Sequence, residues 1–279
     1  MRHPQPFIWL LIVAMVSADA SVLTWVAGRG WSPPQWPHAL LCLLFALVFS
    51  QVGLATIWAG LGRQSMAWRV TGGFLVVVAW SIALARELQA DRPIELLSTY
   101  WSVLLSVQAG LALVPLLIMR AAGARLISTA AAEISQDRGS QLGPWQFSPA
   151  DLLRWMTALA VIMGLAQSVA FYDLLPRSST ALAEIGTWAA ANTLLALFTL
   201  WAVLGNGPPV ARILTLAVIA SVTAGLLGWL APNSEKGEAA AMLYVLQTIL
   251  LTASLGVVRI AGYRLASARP NDEPPHTSV

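Results

Sequence analysis

Eight stretches of about 20 predominantly apolar residues dominate this chain, at approximately 7–27, 38–60, 67–86, 98–119, 152–173, 182–204, 211–231 and 239–260. A helix of that length crosses the hydrocarbon core of a bilayer. Backbone N–H and C=O groups in hydrocarbon must be paired within the protein, so each run is expected to be a helix. The alternating polarity of outer-membrane barrel strands is not visible. Composition agrees: 57% of the 279 residues are hydrophobic and 10% charged, against about 25% charged in a soluble domain.

The basic residues are scattered singly, which argues against a nucleic-acid partner. The lipid bilayer is the expected partner, followed by another membrane protein or a second copy of the chain. The one cysteine, Cys42, lies within an apolar run and reads as a small packed hydrophobe with no disulfide partner.

Clusters of Gly, Pro, Asn and Ser separate the runs: "GRGWSPPQWP", "GRQS", "QADRP", "LPRSS", "GNGPP" and "APNSEKG". Most are short, which favours antiparallel neighbours. The exception runs from Arg120 to about Asp151 and contains "RLISTAAAEI", read as a helical extension, then a polar "SQDRGSQLGP". Lys and Arg concentrate on the cytoplasmic side of membrane proteins. Eleven lie at the N-terminus, the even-numbered connections and the C-terminus, against five on the other side. Both termini are therefore expected in the cytoplasm, and the membrane is expected to be the bacterial inner membrane. A second reading takes Arg2, the apolar stretch from Phe7 to Val16 and the "ADA" at 18–20 as a cleaved signal peptide. Because the apolar run continues through "SVLTWVA" to spanning length, the retained helix is preferred.

The chain repeats itself. "TIWAGLGRQSMAWR", Thr56 to Arg69, returns as "TLWAVLGNGPPVAR", Thr199 to Arg212, with the shared residues at identical spacing. "RAAGARL" at 120–126 returns as "RIAGYRL" at 259–265, and Gln108 returns as Gln247 in step with it. The offset of this second set is slightly shorter than that of the first, so the register slips between the third and fourth helices. The expected fold is all-α: a bundle of eight transmembrane helices in two parallel four-helix repeats about a pseudo-twofold axis along the membrane normal. Its divisions are 1–126 for the first repeat, 127–147 for a cytoplasmic connector, 148–265 for the second repeat and 266–279 for a disordered tail.

The recurring residues have local reasons. Trp58 and Trp201 are expected at headgroup depth as interface anchors. Gly62 and Gly205 sit where a helix C-terminus commonly takes a left-handed residue. Arg69 and Arg212 open the following helices and are expected to reach for anionic headgroups, with Arg120 and Arg259 as further anchors.

The second half opens with "FSPADLLRW", where Ser148 suits the N-cap, Pro149 the first helical position and Asp151 the third. Phe147 and Leu152 stand at the positions of a hydrophobic staple. The segment "FSPADLLRWMTALAVIMGL" resembles the F-S-x-x-x-L-L opening of hydrophobic segments in uncharacterised polytopic membrane proteins of planctomycete type. The resemblance covers that short segment alone and implies a compartment and a lineage, with no activity or site residue.

Ionisable and polar residues at membrane depth are costly and are the natural place to look for function. Asp19 is the one carboxylate near the middle of a span, with no Arg, Lys or His at matching depth. It suits either proton coupling or a neutral carboxyl hydrogen-bonded to a neighbouring Gln or Ser. Gln108 and Gln247 each lie about 18 Å before the next Arg, near mid-bilayer. Gln51, Gln167 and Asn192 add further amides. Together these six residues read either as the lining of a solute path or as interhelical contacts.

Enzyme signatures are missing. The three His (3, 38 and 276) lie outside the spans, and H-E-x-x-H, G-x-S-x-G, Walker loops and Cys/His clusters do not occur. No cofactor or metal is implied. The expected role is a non-enzymatic scaffold or subunit of a membrane assembly. The alternative is a small-solute or proton-linked permease with a polar path at the repeat interface.

Overall fold

The structure is a computed structural model that describes residues 14–15, 17–22, 24, 38–62, 65–87, 94–122, 124–128, 179–205, 208–230 and 234–267. Six long helices carry it: α1 (His38–Leu61), α2 (Met66–Glu87), α3 (Ile94–Ala121), α4 (Ser179–Leu204), α5 (Pro209–Leu230) and α6 (Ser234–Ile260). All six are long and apolar enough to cross a membrane, and their spans match the second, third, fourth, sixth, seventh and eighth apolar runs to within a few residues. The described residues between 14 and 24 are helical too and belong to the first run. The fifth run, with Gln167 and the "FSPADLLRW" helix start, lies outside the described residues.

Why these residues form a membrane bundle shows in what is turned outward. On α5, Val210, Ile213, Leu214, Val218, Val222 and Leu226 are all exposed. Their spacing of one, three and four residues makes a broad apolar face that would be a liability in water and is ordinary in lipid. The interior holds Leu44, Val48, Leu105, Leu195, Leu251 and Tyr244, drawn from α1, α3, α4 and α6. This is an apolar multi-helix bundle of the kind a multi-pass membrane protein needs.

Four helices make the centre. α1 packs on α3 and α6, α4 packs on the same two, and α1 touches α4 directly. α2 lies outside against α1 and α3, and α5 lies outside against α4 and α6. Exchanging α1, α2 and α3 for α4, α5 and α6 leaves this set of neighbours unchanged. The α1–α4 approach is tight: a Cβ on Gly53 would stand 3.3 Å from the Cβ of Ala196.

One stretch departs from the sequence expectation. Ala124–Ser128, which overlaps the "RLISTAAAEI" stretch read as a helical extension, is a strand, β1. It pairs antiparallel with β2 (Tyr263–Ser267), in the register Ala124↔Ser267, Leu126↔Leu265 and Ser128↔Tyr263. A strand wins because its partner, brought up by α6, supplies inter-strand hydrogen bonds that the local sequence does not announce. The expected bounds at 126/127 and 265/266 coincide with positions within β1 and β2. Gly262, at φ 89°, makes the turn from α6 into β2, a conformation that disfavours any side chain. Leu126 and Leu265 close over Ile57, Leu61, Leu116, Leu200, Leu204 and Leu255, so the ribbon seals the bundle where α1 and α4 end.

Gly62 and Gly205 prove to be required for a different reason from the left-handed backbone expected of them. Neither has a positive φ; instead, a Cβ on either would stand 2.5 Å from the carbonyl oxygen of Trp58 or Trp201. Those oxygens accept the Gly62 and Gly205 N–H groups at 2.9 Å and cannot move away without breaking the last turn. Gly62→Ala and Gly205→Ala should each cost about 1–3 kcal/mol, the usual penalty for forcing atoms into a packed site. Gly110→Ala, which meets nothing within 4 Å, should be close to neutral. Thermal unfolding of the detergent-solubilised protein checks the contrast.

Candidate functional site

The polar groups fall into three places: the ends of α1 and α4, a chain reaching Asp19, and the middle of the central four helices.

The last four carbonyls of a helix have no donor within it. At the end of α1, Arg69 Nη1 donates to the carbonyl of Ala59 at 2.5 Å and of Gly60 at 3.3 Å. Arg120 Nη1 reaches over from α3 to the carbonyls of Gly60 and Gly62, both at 3.0 Å. The end of α4 is treated alike: Arg212 Nη1 donates to Ala202 at 2.8 Å and Gly205 at 2.6 Å, and Arg259 Nη1 donates to Val203. Each guanidinium also sets positive charge against the negative end of a helix dipole. Arg69 and Arg212 are only 4% exposed. They turn inward to cap helices rather than outward to headgroups, because unpaired carbonyls at this depth cost more than a lost lipid contact. Trp58 and Trp201 do stay exposed. The Trp58 ring lies over Gly72 of α2, where an added Cβ would meet it at 3.0 Å.

Asp19 and Gln51 are brought together. Gln51 Nε2 donates to Asp19 Oδ2 at 2.5 Å, and Trp80 Nε1 on α2 donates to Gln51 Oε1 at 2.9 Å. Asp19 is buried, and its Oδ1 has no partner among the described residues. Trp80 was not singled out in the sequence. Its place on the face of α2 turned towards α1 is the signal that distinguishes it from the interface tryptophans.

Among the described residues, the side chains of the remaining amides Gln108, Asn192 and Gln247 share no hydrogen bond. Gln108 Nε2 on α3 donates to the carbonyl of Phe49 on α1 at 3.2 Å, and Thr193 Oγ1 on α4 donates to the carbonyl of Gln108 at 3.1 Å. Three helices are stitched at one level, each such contact contributing about 0.6 kcal/mol on average. Asn192 Nδ2 donates within α4 to the carbonyl of Trp188 at 2.8 Å. Gln247, on α6, lies across the α1–α4 contact from Gln108, and neither its Nε2 nor its Oε1 has a partner among the described residues. Cys42 Sγ, buried, donates to the carbonyl of Ala239 at 3.3 Å. Among the described residues no group of three or more His, Cys, Asp or Glu comes together as a metal site would require.

Charge-assisted hydrogen bonds are worth about 1.5–3 kcal/mol each, so Arg212→Met should lower stability by about 2–4 kcal/mol. Arg212→Lys, which keeps the charge and a donor but not the planar fork, should recover part of that loss. Thermal unfolding at matched detergent and lipid content measures both. No protein-family model, curated protein or solved structure matches the chain.

Proposed function

We propose that this chain is a non-enzymatic scaffold or subunit of a membrane assembly in the bacterial inner membrane. In this reading it has eight transmembrane helices in two parallel four-helix repeats, with both termini in the cytoplasm. Support for the repeat comes from the ribbon register. Leu126 and Leu265 hold the same position in "RAAGARL" and "RIAGYRL", and β1–β2 pairing sets them opposite each other, with the flanking pairs exchanged symmetrically. Gly53 and Ala196 stand equally far ahead of Thr56 and Thr199 in the other recurring motif, and they meet where α1 touches α4. A pseudo-twofold axis along the membrane normal runs between both pairs.

The observation that carries the scaffold reading is that α1–α4 contact. The interface between repeats is where a parallel-repeat permease would keep its path, and here backbones approach too closely to leave one. The outward apolar faces of α2 and α5 then serve lipid, a membrane-protein partner or a second copy of the chain. The permease reading draws its support from Asp19, a buried carboxyl held by Gln51 away from the axis.

Thiol labelling separates the two. In a Cys42→Ser background, Asp19→Cys, Gln108→Cys and Gln247→Cys are exposed one at a time to a membrane-impermeant maleimide, in right-side-out and inside-out vesicles. Glu184→Cys and Ala122→Cys, both at exposed positions, serve as controls for the outer and cytoplasmic faces. A scaffold leaves the three buried sites unlabelled from either side while Glu184→Cys labels only from outside and Ala122→Cys only from inside. Labelling at 108 or 247 overturns the closed bundle, and labelling at 19 alone favours the permease. Control labelling with the opposite sidedness overturns the orientation.

A further inference from the structure

Gln247 is the group for which the fold provides least. It is 0% exposed, and it carries two N–H donors and a carbonyl acceptor with no partner among the described residues for any of them. Buried polar groups in native proteins are almost always paired, and leaving one bare is costly. Gln247 is not alone in this. Ser50 Oγ, Tyr244 Oη and Asn192 Oδ1 also lack partners among the described residues, and all three side chains are 0% exposed.

Packing register brings these four to one place. α1 and α6 run side by side with Cys42 level with Ala239 and, about three helical turns further on, Gly53 level with Leu251. Between those two contacts, the same register sets Ser50 level with Gln247. α4 and α6 are fixed by the Trp188–Tyr244 ring stack, with centroids 5.9 Å apart, and by the Arg259 bond to the Val203 carbonyl. That register sets Asn192, whose side chain reaches the Trp188 carbonyl, beside Gln247. Tyr244 lies three residues before Gln247, on the same face of α6, so the groups span about one helical turn, roughly 5 Å.

We infer that these four side chains, where α1, α4 and α6 meet, form an internal site for a small uncharged hydrogen-bonding guest. Its chemistry is set by its lining. Amide and hydroxyl groups offer both donors and acceptors and no formal charge, and an ion at this depth would be costly without a counter-charge. One or a few water molecules satisfy such a lining, and so does a solute of amide or polyol type. The same level between α1, α3 and α4 is built differently: there Gln108 Nε2 has the Phe49 carbonyl as a partner, and of its side-chain amide the Oε1 alone lacks one among the described residues. The site stands on helix register and unpaired atoms, and does not depend on the repeat or on a scaffold role.

The test uses the full chain in lipid nanodiscs, with water as the probe. Cross-relaxation from water to the Gln247 side-chain amide protons is measured by nuclear magnetic resonance, the signals being identified by their loss in Gln247→Leu. A persistent water-to-amide Overhauser peak at Gln247 is expected, falling or disappearing in Tyr244→Phe and Ser50→Ala. Its replacement by a peak to added acetamide would assign the site to a solute, and its persistence would assign it to water; both lie within the class inferred. Thermal unfolding gives an independent reading. A bridged network predicts that Gln247→Leu lowers the unfolding temperature. A Gln247 amide with no peak to water or acetamide, together with a raised unfolding temperature for Gln247→Leu, would overturn the site.

Discussion

The carbonyls that end a membrane helix need donors where water is scarce, and the end of this bundle where α1 and α4 stop supplies them from arginines. α1 and α4 stop at Gly62 and Gly205, each closed by one backbone bond to a tryptophan carbonyl. Two arginines then converge on each end, one from the next helix and one from the third. A guanidinium can serve several carbonyls at once from a single rigid plane. Removing it strands groups that no lipid chain can satisfy. These four side chains tie α2 and α3 to the end of α1, and α5 and α6 to the end of α4.

The spans were legible in the sequence because hydrocarbon imposes a length and a polarity that few other solvents do. Six of the eight runs reappear as helices with nearly the expected limits. What escaped was whatever depended on a partner far along the chain. The Arg120–Leu126 motif was visible as a recurrence. Its strand was not, because so short a strand has no periodicity strong enough to compete with the helix-forming alanines after it. Depth alone makes Arg69 and Arg212 headgroup anchors, but depth does not say which way a long side chain turns, and both are buried. The pairing of Asp19 with Gln51 needed the geometry of α1 and α2 before Trp80 could join it.

Duplication, as proposed above, also gives a measure of divergence. At the offset that carries Thr56 onto Thr199, the counterparts of Gln51 and Trp80 are Leu194 and Thr223; Leu194 has no hydrogen-bonding group to take the place of the Gln51 amide. Among the described residues, the Asp19–Gln51–Trp80 chain therefore has no counterpart of like residues. Thr56 and Thr199 show the opposite: both hydroxyls return to the carbonyl one turn earlier, at 2.7 Å. In the proposed repeat these threonine bonds recur in both halves, while Gln51 and Trp80 have no like counterpart.

The ribbon has a consequence for biogenesis. β1 leaves the ribosome before α4, α5 and α6 have been made, while β2 follows α6, so nearly half the chain separates the two strands in the order of synthesis. At about 5–20 residues per second of synthesis, β1 spends roughly 7–28 s as an unpaired edge. During that interval Ile57, Leu61 and Leu116 lack the cover that Leu265 later helps to provide. The ribbon can thus pair only late in translation, after α6 and then β2 have been made.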